Sequence, residues 1–263
     1  MKTILMCPPT YYDVTYEINP WMDKTKPVNK PLAWEQWTSL RRTIESCGAT
    51  VKLIEPVNGL PDMVFTANAG LIYKNRVWLS QFMFPERQGE KRHFDAWFRQ
   101  NGFDVYADDT IYEGAGDSLF LGKLLIGSHG FRSDEVVYSN IKTLMLNDEV
   151  EILSVGLIDS HFYHLDTTFA PLNPNVAIWY PKAHTEKTCK ELKAHAELID
   201  VSPEEANRFA CNAVVIDEHV ILPSGSPKVT KAIEARGFRV HSVDMSEFLK
   251  SGGACKCLCL PLN

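Results

Sequence analysis

Three thiols stand at alternate positions behind a glycine pair in Ser251-Gly252-Gly253-Ala254-Cys255-Lys256-Cys257-Leu258-Cys259. Read as a strand, that alternation predicts Cys255, Cys257 and Cys259 on one side. A strand entered from a glycine turn fixes a thiol while leaving its mouth open, which suits a nucleophile; Lys256 and a nearby imidazole would lower its pKa. Free cysteines also fill tight cores, and that alternative stays open. A Cys-x-Cys-x-Cys metal site fits less well. Spacings of two along a strand converge poorly on one ion, and no Cys/His pair with ligand spacing occurs elsewhere, so no metal site is expected.

Four further stretches hold polar groups in patterns suited to chemistry. In His161-Phe162-Tyr163-His164-Leu165-Asp166-Thr167-Thr168-Phe169, a strand would place His164, Asp166 and Thr168 on one face. An imidazole and a carboxylate would then share one space, either as a working pair or as a satisfied half-buried histidine. Tyr112-Glu113-Gly114-Ala115-Gly116-Asp117 brackets small residues with two acids, which permits close approach of a ligand. The same run equally describes solvated acids at a hairpin entrance. It lacks the Gly-Lys-Ser/Thr end of a phosphate-binding loop. Phe65-Thr66-Ala67-Asn68-Ala69-Gly70 and Tyr16-Glu17-Ile18-Asn19-Pro20-Trp21-Met22 set amides among apolar residues, as Asx-turns or as partners for a ligand.

The elements that must position these groups recur in order. Thr3–Cys7 and Val51–Glu55 read as strands around a helix over Leu32–Cys47, whose Trp34, Trp37, Leu40, Ile44 and Cys47 fall on one face. Hairpins are expected at Ala69–Tyr73 with Val77–Gln81, Ser118–Leu121 with Lys123–Ser128, Phe162–Ala170 with Val176–Tyr180, and Ala213–Asp217 with His219–Leu222. Helices over Glu90–Asn101, Ser133–Met145, near Thr188–Leu192 and over Ser226–Arg236 follow them. The strands Asp104–Ala107, Val150–Val155, Ala196–Val201 and Arg239–Val243 come next, then a helical turn at Met245–Lys250 and a last strand at Cys257–Leu262. This is a strand–strand–helix–strand unit repeated about five times, roughly 53 residues each, without residue-level identity between units. The order predicts a closed array in which the last strand completes the first unit. A doubly wound parallel sheet would instead show single strands between helices. No linker or low-complexity tract interrupts residues 1–263, so one domain is expected.

Composition narrows the class. With 27 Lys+Arg against 33 Asp+Glu the net charge is −6, which supplies no basic face for nucleic acid. Apolar residues make up 45%, yet no run approaches the roughly 18 to 20 residues of a membrane span, and the start is too short for a signal peptide. Seven cysteines without disulfide-like spacing point to reduced thiols in the cytoplasm. The sequence leaves room for a homo-oligomer.

Taken together, these stretches resemble the guanidino-modifying superfamily: arginine deiminases, dimethylarginine dimethylaminohydrolases, amidinotransferases and arginine dihydrolases. The resemblance runs from Asn19 to Cys257 and implies an α/β fold, a five-bladed α/β propeller of strand–strand–helix–strand units. It puts the nucleophile at Cys257, the catalytic histidine at His164, and the acid that assists it at Glu113. Asp166 matches an acid set against the guanidinium, and Asp117 shares the Glu113 run. Arg87 and Arg132 fall where relatives hold the substrate α-carboxylate. Asn68 departs from the carboxylate that deiminases carry there; with Asn19 it resembles the arginine dihydrolases, some of which carry this domain ahead of another. The sequence holds the domain alone, which implies that activity housed in a following domain is absent.

The implied chemistry needs no metal or organic cofactor. A Cys257 thiolate attacks the guanidinium carbon, His164 protonates the departing nitrogen, and water then releases a ureido product from a thiouronium. A carboxylate facing the ureido oxygen would expel citrulline, whereas an asparagine can turn and donate to it. Retention then permits a second hydrolysis to ornithine, carbon dioxide and a second ammonia. The substrate expected is arginine or a close derivative. Hydrolysis of methylated arginines, a deiminase stopping at citrulline and a silent arginine-binding module are the competing readings.

Overall fold

The computed structural model describes residues 2–147 and 149–263. Among the described residues, fifteen strands form five three-stranded sheets. In chain order the strands are β1 (Thr3–Met6), β2 (Thr50–Leu53), β3 (Gly70–Tyr73), β4 (Arg76–Leu79), β5 (Asp104–Tyr106), β6 (Ser118–Leu121), β7 (Leu124–His129) and β8 (Glu151–Gly156). There follow β9 (Phe169–Asn173), β10 (Val176–Trp179), β11 (Glu197–Asp200), β12 (Val214–Ile216), β13 (His219–Pro223), β14 (Arg239–Val243) and β15 (Leu260–Pro261).

Four sheets share one plan: an antiparallel hairpin whose second strand takes a parallel return strand beyond a helix, as in β3-β4-β5. The fifth, β15-β1-β2, obeys the same plan with the strand from the far end of the chain beside β1. The doubly wound alternative is thereby excluded, and the array closes as the element order requires. The first strands of the hairpins all contribute to the lining of one axial cavity of about 500 Å³, among them Ile72, Phe120, Leu172, Val214 and Leu260.

Each sheet is closed on its outer face by the helix of its unit. Asn29 caps the helix Lys30–Ser46, accepting from the Leu32 backbone N–H, and Pro31 sits in its first turn. That helix buries Ala33, Trp37, Leu40 and Ile44; Trp34 stays 40% exposed, one position off the buried stripe. Phe94 and Phe98 do the same for the helix Lys91–Gln100. No helix among the described residues is long and apolar enough to cross a membrane.

Three expectations fail locally. The helix expected over Ser133–Met145 is α-helical only at Val137–Ile141 and widens to a π-helix at Lys142–Leu146. His164, Asp166 and Thr168 do not share a strand: Leu165–Thr167 is a 3₁₀ turn, and β9 begins at Phe169. The hydroxyls of Thr167 and Thr168 donate back to the His164 and Leu165 carbonyls at 2.7 and 3.0 Å, closing the chain into turns. Cys255, Cys257 and Cys259 likewise do not alternate along a strand. Residues 255–258 form a turn, closed by the Cys259 N–H donating to the Lys256 carbonyl at 2.9 Å.

β15 is short, and Leu260 within it is fully buried between the first two units. Leu260→Ala is expected to cost about 2 to 4 kcal/mol, read as a lower midpoint in urea unfolding. An unchanged midpoint would show that closure of the ring does not depend on that contact.

Candidate active site

Five turns, one ahead of the first strand of each hairpin, converge at one end of the axis. Thr66–Ala69 brings Asn68, Gly114–Gly116 is flanked by Glu113 and Asp117, and Leu165–Thr167 brings His164 and Asp166. The turn before β12 brings Asn212, and the turn before β15 brings Cys257. The turns pack without side-chain spacers because Gly116 has none: a Cβ there would stand 2.4 Å from Asn68 Nδ2 and 3.4 Å from the His164 ring. Cys257, His164, Asn68, Arg87, Arg132 and Asn19 line the resulting cleft.

Cys257 is held by a residue that sequence reasoning missed. Asn212 Oδ1 accepts from the backbone N–H groups of Lys256 and Cys257 at 2.9 and 3.1 Å. Its Nδ2 donates to the Asp166 carbonyl and to Cys257 Sγ, both at 3.1 Å. One amide thus ties the thiol's turn to the Asp166 loop, which is why this segment is no strand. A signal was present: Phe209-Ala210-Cys211-Asn212-Ala213 repeats the Phe-x-x-Asn-Ala of Phe65-Thr66-Ala67-Asn68-Ala69 at the same place in another unit. The units therefore do share residue-level identity.

The thiol donates to Asp166 Oδ2 at 3.4 Å. Burial, then the Asp166 charge, pushes the Cys257 thiol well above its ordinary pKa, and Lys256 opposes this only in part. The expectation that Lys256 would lower the thiol pKa outright fails for that reason. Its ammonium contributes to the axial cavity at the other side of the turn and donates to the Cys259 carbonyl at 3.4 Å. Burial also raises Asp166.

His164 Nε2 lies 2.9 Å from Glu113 Oε2, and Arg132 Nη1 donates to the same oxygen at 2.9 Å. Burial works to raise the Glu113 pKa, but Arg132 and His164 hold it down at about 2. Glu113 is therefore ionised and only accepts, so the proton of their hydrogen bond sits on His164 Nε2. Asp117 stands behind this pair and is not part of the cleft lining. Its Oδ1 accepts from Ser128 Oγ at 2.7 Å and from the Leu165 N–H at 3.3 Å, and its Oδ2 accepts from Ser133 Oγ at 2.6 Å. It fixes the His164 loop rather than facing a ligand.

Asn68 cannot turn freely. Arg87 Nη1 donates to its Oδ1 at 3.0 Å and its Nδ2 donates to the Glu113 carbonyl at 3.0 Å, which leaves one N–H beside Gly116. Arg87 is gripped bidentately by Glu90 at 2.9 Å and also donates to the Asp62 carbonyl. Arg132 lies between the rings of Phe84 and Tyr163, with Nη2 donating to the Ile18 carbonyl at 2.9 Å. Asn19 ties the entrance together: Nδ2 donates to Tyr163 Oη and the Ser251 carbonyl, and Oδ1 accepts from the Trp21 N–H. Asp62, also missed from the sequence, lines the cleft with Oδ1 buried and unpartnered among the described residues. Such an acceptor suits a cationic ligand group.

The model of the eukaryotic N,N dimethylarginine dimethylhydrolase family matches residues 12–263. The chain is 38% identical to the N(G),N(G)-dimethylarginine dimethylaminohydrolase of Mycobacterium tuberculosis, over 98% of this chain and 85% of the relative. The chain belongs to this family. The chain is also 43% identical over 98% of its length to the bifunctional arginine dihydrolase/ornithine cyclodeaminase ArgZ of Synechocystis, of which it spans only 37%. The N-terminal domain of ArgZ, solved as a mutant bound to substrate, superposes with a TM-score of 0.96 at 41% identity, covering 100% of this chain and 98% of that domain.

Asn212→Ala leaves the buried Cys257 N–H without its acceptor, reduces the Lys256 N–H to the longer bond to the residue-212 carbonyl, and removes one of the thiol's two side-chain partners. It is expected to cost about 2 kcal/mol in unfolding and roughly a hundredfold in kcat through misplacement of Cys257. Unchanged turnover would show that the turn holds itself.

Proposed function

We propose that this chain is an arginine dihydrolase that uses Cys257 as nucleophile and converts arginine to ornithine, carbon dioxide and two ammonia. The observation that carries it is Asn68, an amide clamped by Arg87 with a free N–H where an acid would complete a deiminase. The likeness to the N-terminal domain of ArgZ supports the same reading.

In this reading Arg132 and Arg87 hold the substrate α-carboxylate, and Arg132 has the more donors to spare. Asp62 takes the α-ammonium, and the guanidinium lies over Cys257 against Asp166. The arriving cation offsets the Asp166 charge that holds the thiol proton in place. His164 Nδ1 takes that proton, and Glu113 stabilises the resulting imidazolium. Sulfur bonds to the guanidinium carbon, His164 returns the proton to the departing nitrogen, and ammonia leaves a thiouronium. His164 then takes a proton from water, which attacks the same carbon and releases the ureido product with the thiol restored.

The ureido oxygen now occupies the place of an amino group. The spare Asn68 N–H donates to it without any rotation, where a carboxylate would oppose it. A buried unpaired acceptor costs ~1 to 3 kcal/mol, so the amide retains the intermediate by roughly one to two decades. A second attack on that carbon expels the second ammonia, and a second water releases ornithine and carbon dioxide. All the groups come from residues within 1–263, which act as one catalytic unit. The seven free cysteines suit a reducing cytosol.

The family description favours a second reading, hydrolysis of dimethylated arginine to citrulline. Incubation with L-arginine, resolving citrulline, ornithine and ammonia, tests both. Ornithine with two ammonia per arginine and no urea is expected. Citrulline with one ammonia would make the chain a deiminase, and turnover of dimethylarginine alone would install the second reading. Asn68→Asp is expected to shift the product toward citrulline, and an unchanged ornithine yield would refute the role given to the amide.

A further inference from the structure

Outside the lining of the cleft, the fold brings together three side chains that no spacing rule connects. Cys47 ends the helix Lys30–Ser46, His219 opens β13, and His241 lies in β14. β13 and β14 run parallel with His219 opposite Arg239, so His241, two positions on, presents its ring on the same face as His219. His219 Nδ1 and His241 Nε2 are 2.9 Å apart, and one ligating atom from each of the three residues lies within 4.8 Å of the other two.

We propose that Cys47, His219 and His241 form a binding site for a divalent transition metal of the zinc class, with solvent as the fourth ligand. The donor set is the mixed thiolate and imidazole set that such ions take in tetrahedral geometry. Zinc bonds of about 2.0 to 2.1 Å to nitrogen and 2.3 Å to sulfur place neighbouring donors roughly 3.3 to 3.6 Å apart. The two imidazoles, 2.9 Å apart, need open by only a few tenths of an ångström, and the thiol, within 4.8 Å of both, needs to close by at most about 1.2 Å.

His219 and His241 are half-buried, which gives an ion a path in, and Cys47 is buried. The ion would join the end of the helix Lys30–Ser46, which covers the β15-β1-β2 sheet, to the β12-β13-β14 sheet. The proposal stands apart from the dihydrolase reading.

The test is titration of the purified full chain with Co²⁺, then Zn²⁺. A thiolate-to-cobalt charge-transfer band saturating at one ion per chain, and bleached by Zn²⁺, is expected. Cys47→Ser should abolish the band, and His219→Gln or His241→Gln should weaken Co²⁺ binding roughly tenfold or more, with circular dichroism unchanged. Cys257→Ser should leave the band intact, which separates this site from the cleft thiol. Absence of the band in the wild-type chain, its survival in Cys47→Ser, or its loss in Cys257→Ser would each overturn the proposal.

Discussion

The cleft depends on one buried carboxylate oxygen shared by two donors. Glu113 accepts from Arg132 and His164 at the same oxygen while fully buried. A carboxylate so placed is stable only while both partners remain, and removing either leaves an uncompensated interior charge. It fixes the histidine tautomer, anchors Arg132 between Phe84 and Tyr163, and through its own carbonyl orients Asn68. Three of the five turns are thus held by one residue, and Asn212 joins the remaining two.

That division explains why five small sheets suffice to build a site from distant residues. Each unit ends its helix–strand return with a turn that enters the next hairpin at the axis. Side chains that spend their hydrogen bonds on neighbouring turns, as Asn212, Asp117 and Asn19 do, fix the relative placement of those that keep one free. Asn68 and Arg132 keep donors free, Asp62 keeps an acceptor, and Cys257 keeps a proton that only a cation makes easy to lose.

The ring itself was legible because each unit announces a hairpin, a helix and a strand by periodicity and turn residues. The site's local structure was not. His164-Leu165-Asp166 and Cys255-Lys256-Cys257 alternate like strands, yet Thr167, Thr168 and Asn212 draw their backbone groups into turns, and alternation carries no record of that competition. Arg87, Arg132 and the cleft acids were found through motif order, while Asp62 lacked any periodic or motif signal. Asn212 was visible only as an echo of Asn68 three hairpins further along the chain. The Cys47, His219 and His241 cluster depends on contacts between the helix Lys30–Ser46 and the β12-β13-β14 sheet, which no local spacing can reveal.

The central physical claim is that Cys257 is neutral in the empty cleft and is ionised by the substrate's own cation. Lys256 does not do it, because burial and Asp166 outweigh it. Thiolate absorbance followed against pH, as the difference between the wild-type chain and Cys257→Ser, tests this directly with and without an unreactive guanidinium ligand. The account predicts a Cys257 pKa above the ordinary thiol value in the free protein, and a fall of at least about one unit when the cation binds. A thiolate already formed at neutral pH in the free protein would contradict it.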